Sequence, residues 1–284
     1  MRSPICWFGG KGNMVAKLLP LIPRHHIYAE VFGGGASLMM AKQPSNVEVY
    51  NDIDLRLTNL FRVLRCQEQF EEFNRLANLT AFSREEFRDA KARLKEGNSV
   101  EQAWRFFVTA RQSFAGNLSA WGYGVTSSAR GMAGQSSKWL STLEMLPEIH
   151  ARLMRTQIEC DDWRKVLRRY DTPETLFYLD PPYVPVTRRS GNYQHELTEL
   201  DHVELVEHCL TLEGRVLLSG YPSEVYKPLE ASGWKSLRWE TVCHAAGRTR
   251  LTGMKGKGSA KKKQPRIEAV WMNYSLDRWI SVSK

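Results

Sequence analysis

Two short apolar runs, IYAEVF (27–32) and VEVYND (47–52), stand on either side of the helix-forming stretch ASLMMAK (36–42). Strands joined through a helix pair in parallel, so this βαβ opening commits the chain to an α/β fold built on a parallel sheet. The stretch LFYLDPPYVPV extends that sheet. Leu176 to Leu179 read as a buried strand, and Pro181 cannot donate to a ladder, so the strand ends at Asp180. Asp180 then stands at a carboxyl edge, where open α/β sheets bind ligands. Asp and Pro also form ordinary turns, so D-P-P-Y by itself fits a strand cap as well as a site.

Between Asp54 and about Arg111 the residues are helix formers with apolar repeats such as Phe70, Phe73, Leu76 and Phe82, Phe87, which predicts a helical insertion. The segment 112–139 is rich in Gly, Ser and Ala with aromatics among them, too long for a passive connector and expected to be a functional loop or hairpin. The alternation then resumes with a strand at 155–159, a helix at 161–169 and a strand at 175–180. Helical 200–210, strand 215–220, helical 223–229, strand 236–242 and a last strand at 266–274 follow.

At 284 residues and 42% apolar composition the chain can bury a full core. No apolar run suits a signal peptide or a membrane span, so a cytoplasmic, nucleoid-associated protein is expected, without a membrane partner. Cys6, Cys66, Cys160, Cys209 and Cys243 are scattered, with no C-x-x-C pair, and are expected to be reduced and structural, with no metal site. Charge is uneven. Of the net +9, eight charges lie between His244 and Arg266, on Arg248, Arg250, Lys255, Lys257, Lys261, Lys262, Lys263 and Arg266, with no acid among them. Glycines at 247, 253, 256 and 258 make this a loop whose natural partner is a polyanion. Its lysines would grip phosphates without reading sequence.

Three stretches fall where the sheet would present them to a ligand. WFGGKG holds Trp7 and Lys11; EVFGGGAS puts Gly33, Gly34 and Gly35 between the first strand and a helix; NDID places Asp52 at the end of the second strand. Such glycines let backbone approach a ligand, and an acid at that strand end can hold ribose hydroxyls. A nicotinamide dinucleotide fits poorly, because Leu38 takes the third glycine position of G-x-G-x-x-G, and neither loop is a P-loop. A nucleoside cofactor without phosphates fits better.

These residues resemble the N6-adenine DNA methyltransferases of the Dam-like (D12, alpha-group) type. Trp7 to Lys11 looks like that family's W-x-G-G-K, Glu30 to Ser37 like its E-P-F-x-G-x-G-S with Val31 in place of proline, and Asp180 to Tyr183 like its D-P-P-Y. The stretches 187–197, 201–206, 217–221 and 267–273 continue the likeness, and RQSFAGN (111–117) resembles the start of its DNA-contacting hairpin. The resemblance implies a Rossmann-like S-adenosylmethionine-dependent methyltransferase sheet, formed by 1–65 and 141–284, with 66–140 as an inserted helical target-recognition region. It implies S-adenosylmethionine held by Trp7, Lys11, the 33–35 loop, Asp52 and Asp162, with Asp161 as a substitute for Asp162. It also implies double-stranded DNA as partner. Base-edge contacts are expected from 112–139 and its border, on Arg111, Gln112, Asn117, Arg130 and Gln135, with Trp121 and Tyr123 available to fill the gap left by a flipped base, and further contacts from Arg188, Arg189 and the basic loop.

D-P-P-Y suits an exocyclic amine. The adenine N6 lone pair is delocalised into the ring until acceptors hold its hydrogens out of plane. The Asp180 carboxylate and the Pro181 carbonyl, fixed by locked proline φ, are such acceptors, and Tyr183 would stack on a flipped base. A cytosine-C5 enzyme is excluded, since no cysteine follows a proline. A cytosine-N4 enzyme more often has Ser in place of Asp180, and a protein-glutamine methyltransferase Asn. A non-catalytic DNA-binding protein would explain the basic loop but not Asp180 with the glycine loop.

Overall fold

A computed structural model describes residues 1–185, 195–242 and 265–276. Seven strands form one sheet: β1 (Ile27–Glu30), β2 (Val47–Asn51), β3 (Thr156–Glu159), β4 (Thr175–Leu179), β5 (Arg215–Gly220), β6 (Lys235–Val242) and β7 (Pro265–Met272). Their order is β3-β2-β1-β4-β5-β7-β6. The first five are parallel, and β7 pairs antiparallel with both β5 and β6. Strand order reverses between β1 and β4, and such a switch point opens a crevice at the carboxyl ends of the strands.

The central parallel strands β1, β2, β4 and β5 are largely apolar because both faces are covered, whereas the edge strand β3 (TQIE) is mostly polar. Tyr28, Tyr50, Tyr178 and Leu217 enter one core with α2 (Ser37–Ala41), α3 (Leu55–Arg65), α4 (Gln67–Leu79), α6 (Ser99–Gln112) and α7 (Gly134–Leu153). That core also takes Leu18 from α1 (Val15–Leu18), Met14 just before it, and Ala90 from α5 (Arg84–Ala92). The alternate residues Ala29, Val49, Phe177 and Leu218 face α8 (Trp163–Tyr170), α9 (Glu199–Thr211) and α10 (Lys227–Ala231). Period-two alternation along each strand feeds the two layers.

The expected α/β architecture, with helices between β2 and β3, is present. The long segment expected as a loop over 112–139 is shorter: α6 runs through Gln112 and α7 begins at Gly134. Between them lie a 3-10 turn at Phe114–Gly116 and two isolated antiparallel bridges, Ser113 with Trp121 and Ser127 with Ala133. The sequence reading missed α7 because Gly134 and two serines open it and Pro147 lies inside it, all weak helix signals. No described helix is long and apolar enough to cross a membrane.

Candidate active site

A cleft of about 280 Å³ opens at the switch point, at the small end of the usual range for small-molecule pockets. It is lined by the arm from Trp7 to Lys11, the ends of β1 and β2, the turn before α8, and Asp180 with Pro182. The sequence-predicted cofactor residues therefore meet in one place, although they come from four segments of the chain.

The glycine loop is shaped chiefly by its neighbours in the protein. A Cβ on Gly33 would lie 2.2 Å from the Tyr50 ring, and Gly34 has φ +47° with a Cβ position 2.8 Å from Trp7. The loop threads between those two rings, which only glycine permits. Gly34 is tied at both ends of its peptide unit: its carbonyl accepts from the Tyr50 hydroxyl at 2.9 Å, and its N–H donates to Asp52 Oδ2 at 2.8 Å. Asp52 Oδ1 accepts from the Asp54 N–H at 2.8 Å. Burial pushes the Asp52 carboxyl up to about 6, against the pull of those two N–H donors.

Asn51 is a framework residue that sequence reasoning passed over. Its buried amide donates to the Val31 and Asp161 carbonyls and accepts from the Asp161 N–H at 2.9 Å, fastening the ends of β1 and β2 to the turn after β3. Asp161 and Asp162 both line the cleft. Asp162 caps α8 and pairs with Arg164, while Asp161 pairs with Lys165 and Arg169.

The D-P-P-Y end has its own network. Lys11, which the sequence suggested as a cofactor contact, donates to Asp180 Oδ1 at 2.6 Å, and Glu268 Oε1 lies 3.5 Å from the same nitrogen. Tyr183 places its ring 4.7 Å from the Lys11 ammonium, packs edge-on to Tyr221 at 4.4 Å and donates its hydroxyl to Glu268 Oε1. Burial raises the Asp180 carboxyl to about 6, with Lys11 acting in the opposite direction. Burial also keeps the Tyr183 phenol neutral, well above its ordinary value. Glu30, on the last position of β1, is pushed up to about 8 by burial, against the pull of the Tyr28 hydroxyl and the Met39 N–H, which both donate to Oε2.

Glu268 was not singled out from the sequence. Because β7 runs antiparallel, its first residues lie at the carboxyl edge of the parallel strands, one register step beyond Gly220. An acid within the apolar strand EAVWM was the available signal, since a buried charge needs a partner.

The proposed DNA contacts divide. Gln112 is fully buried, its amide spent on the Ser83 N–H and the Ala81 carbonyl, so it offers nothing to a base edge. Arg111 lies half-buried between α6 and α7, donating to Thr142 Oγ1 and the Lys138 carbonyl, and links helices instead of facing a ligand. Asn117 orders its own turn by accepting from the Ser119 and Ala120 N–H groups. Arg130 is exposed and paired with Glu144, Trp121 stacks with Tyr123, and Gln135 sits in the first turn of α7. Arg188, Arg189, Arg248, Arg250, Lys261, Lys262 and Lys263 lie outside the described residues. Among the described residues no three His, Cys, Asp or Glu side chains cluster as a metal centre requires.

Comparison with known proteins adds two findings. The model of the D12 class N6 adenine-specific DNA methyltransferase family matches residues 7–235. Modification methylase StsI of Streptococcus sanguinis is 28% identical over 68 residues, a match that covers 24% of this chain and 10% of the relative's length.

Proposed function

Because the chain belongs to the D12 class N6 adenine-specific DNA methyltransferase family, we propose that it methylates N6 of a flipped-out adenine in double-stranded DNA with S-adenosylmethionine as donor. The observation that carries the reading is that the Asp180 carboxylate lines the same cleft as the Trp7, glycine-loop and Asp52 cradle. That cradle suits a nucleoside: it joins aromatic and apolar surface to a carboxylate, neither glycine loop has the P-loop pattern, and Lys11, which follows Gly9 and Gly10, is held by Asp180. When bound there, S-adenosylmethionine supplies an electrophilic methyl group.

The residues do the rest by position. Asp180 and the Pro181 carbonyl take the two N6 hydrogens and free the nitrogen lone pair, and Pro182 with Tyr183 shapes the base slot. A base inside a duplex cannot reach this slot, so the nucleotide must leave the stack at a cost of about a few kcal/mol, partly offset by stacking on an aromatic ring.

Residues 66–140 serve in this reading as the target-recognition region, with readout narrowed to the exposed segment between α6 and α7. The basic loop around 244–266 supplies phosphate contacts. Asn117, Tyr123 and Arg130 replace the buried Gln112 and the tied Arg111 as the candidates for base contact. The turn that carries them is anchored to the cofactor arm: a Cβ on Gly116 would lie 2.5 Å from the Cys6 carbonyl.

The direct test is mass spectrometry of nucleosides from unmodified duplex DNA incubated with protein and cofactor. N6-methyladenine is expected; N4-methylcytosine, or no modified base across several DNA sequences, defeats the reading. Asp52→Ala should weaken cofactor binding by about 1–3 kcal/mol, because it leaves the Gly34 and Asp54 N–H groups and any bound hydroxyls without their acceptor. Calorimetry with cofactor alone measures it, and an unchanged Kd takes Asp52 out of the site. DNA affinity should change far less.

A further inference from the structure

We propose that Glu268 is a positioning residue for base capture, giving the Lys11 ammonium a second anion to pair with when the target amine takes its place on Asp180. The inference rests on the adenine-N6 reading above. The Lys11 ammonium covers what the base needs: it holds Asp180 Oδ1 at 2.6 Å and lies 4.7 Å from the centre of the Tyr183 ring. An ammonium and an exocyclic amine present the same N–H to the same kind of acceptor, so on Oδ1 they compete, and the base gains that oxygen as the ammonium withdraws.

Withdrawal into water is disfavoured, because the Lys11 side chain is only 8% exposed and a buried charge keeps a partner. Glu268 Oε1 stands 3.5 Å from Nζ, already in ion-pair range, and a shift on the order of 1 Å brings it to hydrogen-bond length. The same Glu268 oxygen accepts the Tyr183 hydroxyl. One carboxylate thus fixes the ring that will face the base and receives the cation that must vacate it. No bond is made or broken in this exchange; one ion pair replaces another as the amine arrives.

The inference is tested by steady-state methylation of a duplex bearing the protein's own target, with cofactor Kd measured separately by calorimetry. Glu268→Gln keeps an acceptor for Tyr183 but removes the charge, and should raise KM for DNA by about tenfold while cofactor Kd stays within about twofold. Glu268→Asp keeps the charge and should hold KM within about threefold of wild type. In a Lys11→Gln background there is no ammonium to relocate, and adding Glu268→Gln should then change KM by less than about twofold. An unchanged KM in Glu268→Gln, a Glu268→Asp protein equally impaired, or a full tenfold effect without Lys11 would each overturn the proposal. Wild-type protein that leaves adenine unmodified would instead overturn the reading beneath it.

Discussion

Asp180→Ala should lower methyl transfer by roughly 10²–10³-fold or more, the scale on which a positioned polar partner of the reacting group acts, while cofactor Kd and the fold stay close to wild type. The fold should tolerate the loss for two reasons. Burial raises the Asp180 carboxyl from 3.8 to about 6, so the folded state holds that proton more tightly than the unfolded chain does. Its ionisation therefore costs stability, and the cost grows as pH rises through the window from 3.8 to about 6. Alanine removes that cost at neutral pH. Lys11 also retains a carboxylate, since Glu268 lies 3.5 Å from its nitrogen. A strand cap would behave in the opposite way, losing about 0.5–2 kcal/mol of stability with activity in proportion to the folded fraction. Thermal melts beside single-turnover assays separate the two, and an active Asp180→Ala protein refutes the catalytic role. Because the carboxylate must be ionised to accept amine hydrogens, wild-type activity should fall on the acid side near pH 6.

Gly33→Ala should disrupt cofactor binding and lower stability together. The added methyl would lie 2.2 Å from Tyr50 Cε2, and Tyr50 cannot retreat: it is fully buried, stacked on Phe61 at 4.3 Å and bonded through its hydroxyl to the Gly34 carbonyl. Overpacking of a core site costs about 1–3 kcal/mol, a fall in Tm of roughly 2–10 °C for a chain of this size. The relief available is to lift the loop, which breaks the Gly34 contacts to Tyr50 and Asp52 and moves the floor of the cleft. Cofactor affinity should drop by about tenfold or more, in keeping with two displaced hydrogen bonds. Gly12→Ala, just after Lys11 and with a Cβ that would meet nothing within 4 Å, is the matched control. A Gly33→Ala protein with wild-type Tm and Kd would show that the loop yields without consequence.

The central strands were legible as short, largely apolar runs, and the observed limits of all seven lie within a residue or two of the sequence reading. Asp180, Asp52 and the glycines were legible for a related reason: they stand just beyond those ends, where chain order alone predicts the ligand edge. α7 was not, since Gly134 and Pro147 break its pattern and its stability comes from burying Trp139, Leu146 and Ile149. The glycines were expected to let backbone approach a ligand; the partners that demand glycine are Tyr50 and Trp7, both far enough away in sequence to be invisible. Gln112 and Arg111 show the same limit from the other side. Their chemistry suits DNA, but only packing reveals that Gln112 is consumed by the 81–83 turn and Arg111 by α7. Glu268 depends on an antiparallel strand arriving at the carboxyl edge, a pairing that no local pattern encodes.

The central place of β1 in the sheet sets a timetable for synthesis. Its two neighbours are β2, which follows almost at once, and β4, whose first residue Thr175 emerges roughly 150 residues after Ile27. At about 5–20 residues per second on the ribosome, one side of β1 waits on the order of 10 s for its partner. The helices α3 to α6, rich in near-neighbour contacts, leave the exit tunnel in that interval and can shield the Tyr28 and Tyr50 face before the sheet is whole. The glycine loop and Asp180 are born on opposite sides of the wait, so neither cradle nor acceptor exists in a nascent chain until β4 docks. Any nascent chain stalled before Thr175 carries an unsatisfied strand edge, open to pairing with another chain, and lacks the Asp180 end of the cleft.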